Sequence, residues 1–215
     1  MEHLYKVNEI FKSIDGEGVR TGLPVIFIRL YGCNLKCKYC DTRYACDQQE
    51  FKLMNKNEIL IEVLKLGGKR ITLTGGEPLL DPEVNELIHL LQMYDFEVNV
   101  ETNGSINIGL CPADIITMDY KCGASGMEQY MRLENLYLLE SLDVLKFVVG
   151  SRADLDKMKQ IIEEYRPCCR IYVSPVFGMI EPAELVEYVL ENKLEDVTVQ
   201  VQLHKIIWNP NKRGV

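Results

Sequence analysis

The chain has no excess of basic charge. Lys and Arg number 24 against 32 Asp and Glu, a net −8 over 215 residues. A general nucleic-acid binder needs a basic face to neutralise phosphates, so this balance argues against that class. No run of about 18 apolar residues occurs, so no membrane span is expected. The segment Met1 to Gly18 has no continuous apolar stretch of the secretory kind. Repeats, low-complexity tracts and linkers are also missing. With no export signal, the expected compartment is the reducing cytoplasm. Eight cysteines there are read as metal ligands, reactive thiols or small core residues rather than disulfides. At 47% hydrophobic residues, one sizeable core and one domain over 1–215 are expected.

What is present is alternation. Short apolar runs at 25–30, 70–73, 96–100, 114–118, 144–149, 170–173 and 197–203 look like strands covered on both faces, as in parallel sheets. Helical patterns lie between them. Asn57 to Leu66 carries an apolar stripe ended by Gly67 and Gly68. Asp81–Pro82 is a cap and first-turn pair leading to Leu87 and Leu91. Ser151 with Asp154 resembles a capping box for a helix stopped near Pro167, and Glu181 to Asn192 forms the last helix. Gly123 to Glu140 reads as a loop and a short helix. Alternating strands and helices imply right-handed βαβ units. Six or seven such units are too few for a full eightfold barrel, so an open, partial α/β barrel is expected. Ligands would then sit at the C-terminal ends of its strands.

The residues after the first run decide the chemistry. Cys33, Cys37 and Cys40 follow a C-x3-C-x2-C spacing. Three thiolates on one compact loop select an iron–sulfur cluster or zinc. Three ligands on a four-iron cluster leave one iron open, as a catalytic zinc keeps an open position. A structural zinc site would need a fourth ligand, which Cys46 could supply. An electron-transfer cluster would need a fourth cysteine. Cys46, Cys111, Cys122, Cys168 and Cys169 are otherwise read as non-ligands, and the adjacent pair 168–169 as small core residues. After the second run comes Thr74 to Pro78, TGGEP, whose glycines let backbone approach a ligand closely.

The cysteine loop and the TGGEP element together resemble the radical S-adenosylmethionine (SAM) superfamily. Further segments resemble one family within it, the 7-carboxy-7-deazaguanine synthases of the queuosine pathway. These are Val7 to Gly18, Arg29 to Leu35 running into Cys40-Asp41-Thr42, Glu101 to Gly104, Asp119 to Lys121, Ser174 to Gly178, and Gln202 to Pro210. The resemblance implies conversion of 6-carboxy-5,6,7,8-tetrahydropterin to 7-carboxy-7-deazaguanine with loss of ammonia. It implies a [4Fe–4S] cluster, SAM that is split to a 5′-deoxyadenosyl radical and then recovered, and Mg2+. It also implies a homodimer and a flavodoxin-type electron donor.

The same resemblance assigns residues. Cys33, Cys37 and Cys40 hold the cluster and Thr42 the magnesium, a hard ion that takes oxygen ligands. Tyr39, Cys40, Asp41, Gly75, Gly76, Glu77, Asp119, Tyr120, Lys121 and Ser174 match SAM-binding positions. Ile14, Asp15, Gly16, Glu17, Arg29, Thr74 and His204 match substrate-binding ones. No catalytic side chain is assigned with certainty. Arg29 has the planar fork for the substrate carboxylate, set against an ordinary ion pair. Relatives often carry glutamine where this chain has Asp15, which leaves backbone contacts intact and puts a side-chain amide contact in doubt. His204 is expected in the final strand region, between Val197 and Leu203 and the tail at 204–215. Two other readings remain. One is a glycyl-radical-enzyme activating enzyme acting on a protein partner. The other is a metal-binding or electron-transfer module without SAM.

Overall fold

The computed structural model describes residues 2–210 and 212–215. Nine strands form one sheet. They are β1 (Tyr5–Ile14), β2 (Pro24–Leu30), β3 (Lys52–Met54), β4 (Arg70–Gly75), β5 (Glu97–Thr102), β6 (Ile115–Tyr120), β7 (Val144–Val149), β8 (Arg170–Pro175) and β9 (Val197–Val199). The helices are α1 (Tyr44–Asp47), α2 (Lys56–Leu66), α3 (Val84–Met93), α4 (Arg152–Tyr165), α5 (Pro182–Glu191) and α6 (Leu203–Ile207). The spatial order is β3-β1-β2-β4-β5-β6-β7-β8-β9. The seven strands from β2 onward pair in parallel. β1 runs antiparallel to both β2 and β3.

Local chemistry sets the helix bounds. Asn55 and Glu58 form a reciprocal capping box on α2, and Gly67 takes a positive φ to end it. The Ser151 side chain accepts from the Asp154 amide at the start of α4. Pro182 opens α5, where its missing N–H costs nothing.

Several expectations need correction. β1 does not read as a strand from its apolar pattern, because YKVNEIFKSI mixes both kinds of residue on both faces. It is held instead by its long ladder with β2, from Val7 opposite Leu30 to Ile14 opposite Pro24. The expected helix within Gly123 to Glu140 is three 3-10 turns, at Gly123–Ser125, Glu128–Tyr130 and Leu133–Tyr137. No α-helix joins β5 to β6 or β6 to β7 among the described residues. The last expected strand stops at Val199, and Leu203 already belongs to α6.

The strands are not apolar on both faces. Ile71, Leu73, Val98, Val100, Ile116, Met118, Leu145 and Phe147 pack outward into two apolar clusters with the helices. The residues between them, Thr72, Thr74, Asn99, Glu101, Thr117, Asp119 and Lys146, point the other way by strand alternation. One cavity touches side chains of β1, β2, β4, β5, β6 and β7, so the sheet curls around a polar lumen. The segment 15–20 crosses its open side. Leu203 N donates to Gly16 O at 3.0 Å, and Gly18 N to Gln200 Oε1 at 2.9 Å. Arg20, 4% exposed, donates to Asp15 Oδ2 at 2.9 Å and to Thr72 Oγ1 at 2.6 Å. Its reach to Ile71 O, 3.0 Å away, ties the crossing to β4.

If the outer layer carries the stability, truncating it is costly. Phe147 is fully buried and lies 5.4 Å from the Tyr120 ring, centre to centre. Phe147→Ala is expected to lose about 3–5 kcal/mol in urea unfolding. Leu64→Ala, at an exposed helix position, is expected to lose less than about 1 kcal/mol.

Candidate active site

The cysteine loop is fixed by backbone contacts with its neighbours. Gly76 N donates to Leu30 O at 3.1 Å, and Glu77 N to Gly32 O at 2.8 Å. The approach is too close for side chains. A Cβ on Gly75 would run into the Leu30 carbonyl, and one on Gly76 would meet the Gly32 carbonyl and lie 2.8 Å from Cys33 Cβ. Glu77, 2% exposed, carries the tie onward. Its carboxylate accepts from Leu79 N (3.0 Å), Thr102 Oγ1 (2.9 Å) and Asn103 N (2.6 Å). Asn103 Nδ2 turns back to Asn34 Oδ1 at 3.1 Å and Cys33 Sγ at 3.7 Å. The ends of β2, β4 and β5 and the cysteine loop thus form a closed ring of contacts. The far side of the loop is held by Arg43, which donates to Cys37 O and Lys38 O, and by Lys38 N on Ser125 O. The Tyr39 hydroxyl donates to Val148 O at 3.0 Å.

Cys33, Cys37 and Cys40 all line one cavity of about 330 Å³. The neighbouring Cys46 thiol, then the Leu35 amide (3.4 Å) and Asn103 (3.7 Å), hold the Cys33 thiol below its usual range, although burial opposes them, and the thiolate is the form that metals require. The neighbouring Cys33 and then burial push the Cys46 thiol up, and that thiol donates to Thr42 O at 3.9 Å. The three thiols face the same cavity, and soft thiolates of this kind select iron–sulfur clusters or zinc. The donor set fits a cluster with three protein ligands.

The rest of the wall is charged. Arg29 Nε donates to Glu9 Oε1 at 2.8 Å, and the Tyr44 hydroxyl donates to the same oxygen at 2.9 Å. The Arg29 Nη atoms make no hydrogen bond among the described residues. Lys121 Nζ lies 3.0 Å from Asp119 Oδ2. Lys146 Nζ lies 3.5 Å from Glu17 Oε2 and 3.6 Å from Asp119 Oδ1. Burial would raise the Asp119 carboxyl, but Lys121 and Lys146 outweigh it and hold it below the usual range. Burial likewise raises Asp41, and Lys205 at 3.1 Å reverses the shift. Burial lowers His204, against the pull of Glu17 and Asp41. Gly16 sits against that ring, where a Cβ would collide with Nδ1.

The radical SAM superfamily model matches residues 27–113. The chain is 48% identical to the 7-carboxy-7-deazaguanine synthase of Clostridium acetobutylicum, over 98% of this chain and 99% of that protein. It is 35% identical to the enzyme of that name from Koribacter versatilis, over 98% of this chain and all of that one. The chain belongs to the 7-carboxy-7-deazaguanine synthase family. The fold agrees: the crystal structure of QueE from Escherichia coli superposes with a TM-score of 0.78 over 94% of this chain and 95% of that one, at 22% identity. The SAM-bound Streptococcus suis SuiB structure gives 0.56 at 13% identity, over 80% of this chain and 48% of that one.

Most residues matched to synthase positions face the one cavity. Ile14, Asp15, Gly16, Glu17, Arg29, Thr74 and His204 all touch it, as do Tyr39, Asp41, Thr42, Gly75, Gly76, Asp119 and Lys121. Three do not. The Tyr120 side chain packs in the outer core. The Glu77 carboxylate is spent on the ring of contacts, and Ser174, on the lumen face of β8 opposite Val148, is fully buried with an unpartnered hydroxyl. Asp15 reaches the cavity, yet its carboxylate is turned to Arg20 and Thr72, so an amide contact of the glutamine kind is not made by this side chain. Its carboxyl is raised to about 6 by burial, against the pull of Arg20. His204 stands in α6, not in a strand. Glu101, Asn103 and Lys205 lie in segments matched to the family but were given no role by the sequence, and Lys146 was missed altogether. Lys146 carried a signal, a lysine inside the otherwise apolar VLKFVV.

Two measurements follow for this synthase. Cys46→Ala is expected to leave iron per chain unchanged after anaerobic reconstitution; loss of iron would refute a three-cysteine cluster. Glu77 is raised from 4.5 to about 7 by burial, despite its three hydrogen bonds. An acid raised in the folded state stabilises fully below its unfolded value, and that contribution is lost as pH rises through the folded one. The stability of the cluster-free protein minus that of Glu77→Gln should therefore fall by about 2 kcal/mol between pH 5 and 8 in urea titrations. A flat difference would contradict the burial account.

Proposed function

We propose that the protein converts 6-carboxy-5,6,7,8-tetrahydropterin to 7-carboxy-7-deazaguanine with release of ammonia. The observation that carries this is a single cavity bearing the three cysteines, the free fork of Arg29 and the carboxylate of Glu17. When bound, a [4Fe–4S] cluster and SAM supply one-electron chemistry that ends in a hydrogen-abstracting radical. The chain supplies position. Its Arg29 Nη atoms, with Nε anchored on Glu9, take the substrate carboxylate in a bidentate pair. Glu17 Oε1 is buried and unpartnered, so it accepts from the amino or ring N–H edge of the pterin. His204, packed on Gly16, closes that edge. Gly75 and Gly76 leave room for backbone to approach SAM, and the Asp119–Lys121 pair faces its nucleoside side. Thr42, whose hydroxyl lies 3.7 Å from Cys40 Sγ, is the proposed oxygen ligand of Mg2+. The tail excludes water. Arg213 stacks on the Tyr44 ring at 3.8 Å and pairs with Glu50 at 3.1 Å, laying Gly214 and Val215 on the cavity mouth.

The magnesium, the flavodoxin-type donor and the homodimer enter this proposal through the family resemblance, and the cytoplasmic location and the one-domain reading of 1–215 enter it from the sequence. No helix among the described residues is long and apolar enough to cross a membrane.

The test is turnover of reconstituted protein with dithionite, SAM, Mg2+ and the pterin, followed by mass spectrometry. The deazaguanine acid should form with wild type and vanish with Cys37→Ala. SAM cleavage without that product would instead favour an activating enzyme with a protein substrate.

A further inference from the structure

Lys146 is a cation where the fold does not need one. It is the third residue of β7, and its side chain is 7% exposed. Its strand neighbours Leu145 and Phe147 face the outer core, so Lys146 points into the lumen. Its partners in register are Asp119 on β6 and Tyr172 on β8. The ammonium stands between two carboxylates from distant parts of the chain, Glu17 at 3.5 Å and Asp119 at 3.6 Å. Asp119 is already paired with Lys121 at 3.0 Å. Glu17 has one other donor, Gln202 Nε2 at 3.3 Å. Lys146 is therefore the cation of Glu17, and it spans the lumen to reach it.

Burying this set brings little to folding. Apolar replacement of a whole buried ion cluster is often neutral or stabilising. Yet Glu17 Oε1 and Asp119 Oδ1 are buried, make no hydrogen bond and belong to cavity-lining residues. Buried acceptors left open around a fixed cation, inside a cavity, point to a ligand.

We propose that Lys146 is a positioning residue: it sets Glu17, and with it segment 14–17, at a fixed distance from Asp119 and the SAM wall. This rests on the reaction proposed above. Without the ammonium, the two carboxylates repel across the lumen. Glu17 then loses its fixed rotamer and the substrate ring moves relative to the abstracting centre. Displacements of about 1 Å in such geometry cost on the order of 100-fold in rate.

The test compares Lys146→Met, Lys146→Arg, Glu17→Gln and the double Lys146→Met/Glu17→Gln variant, all cluster-loaded. Three quantities are read: pterin dissociation constant with SAM present, KM against kcat, and 5′-deoxyadenosine formed per deazaguanine acid. Lys146→Met should weaken pterin binding about tenfold and lower kcat further, on the order of 100-fold. It should also release 5′-deoxyadenosine in excess of product. Lys146→Arg should recover most of the affinity. The double variant should bind little worse than Glu17→Gln alone, because both changes remove one interaction. Should Lys146→Met not fold, the comparison of Lys146→Arg and the double variant with Glu17→Gln carries the same test. Unchanged pterin affinity in Lys146→Met, or losses that multiply fully in the double variant, would overturn the assignment while wild-type turnover keeps the reaction. A wild type that binds SAM but neither binds nor converts the pterin would overturn the reaction and the assignment together.

Discussion

The site depends on one close approach of backbone to backbone. Gly75 and Gly76 at the end of β4 press against Leu30, Gly32 and Cys33 at the end of β2, where no Cβ fits. Two amide hydrogen bonds close that contact. Glu77 then extends it to β5, and Asn103 returns it to Cys33. Three loose strand ends and a loop become one rigid rim. A cluster ligand on that rim inherits the precision of the sheet rather than the freedom of a loop. The glycines therefore serve the cysteine loop itself, in addition to any ligand that lies over them.

A second constraint is the division of labour between the two sheet faces. The outward residues of β4 to β8 fill apolar clusters under the helices, while the inward ones, apolar Val148 apart, are mostly hydroxyls, amides and charges. The lumen can therefore hold a polar substrate without weakening the core. Its charges offset in pairs: Arg29 with Glu9, Lys121 with Asp119, Lys146 with Glu17, Lys205 with Asp41. Ligand-facing acceptors stay free at the junctions between pairs.

Much of this was legible in the residues. The parallel strands, the helix bodies, the cysteine loop and the glycine pair announce themselves within short windows, whereas the caps are less plain: α3 starts at Val84 rather than at Asp81–Pro82, and α2 is capped by Asn55. Long-range pairing does not. β1 is a strand because β2 lies beside it, and nothing local in YKVNEIFKSI says so. His204 is near Gly16 because α6 folds back over the crossing segment, a contact spanning most of the chain. Asp15 looks like a site residue in a linear motif, but Arg20, only five positions on, captures its carboxylate. Lys146 was overlooked because apolar neighbours hid the alternation that aims it inward. Tyr120 shows the converse: a motif marks a stretch of backbone, and strand alternation decides which side chains in it reach the cavity.

The most direct test of the rim is Gly76→Ala, read by iron content and by the electron paramagnetic resonance of the reduced cluster with and without SAM. The added methyl meets the Gly32 carbonyl and Cys33, so the account predicts lost iron, or a cluster whose spectrum no longer responds to SAM, in a protein whose circular dichroism is unchanged. Full iron with a wild-type response to SAM would contradict it, and the cysteine loop would then owe its place to something other than the glycine contact.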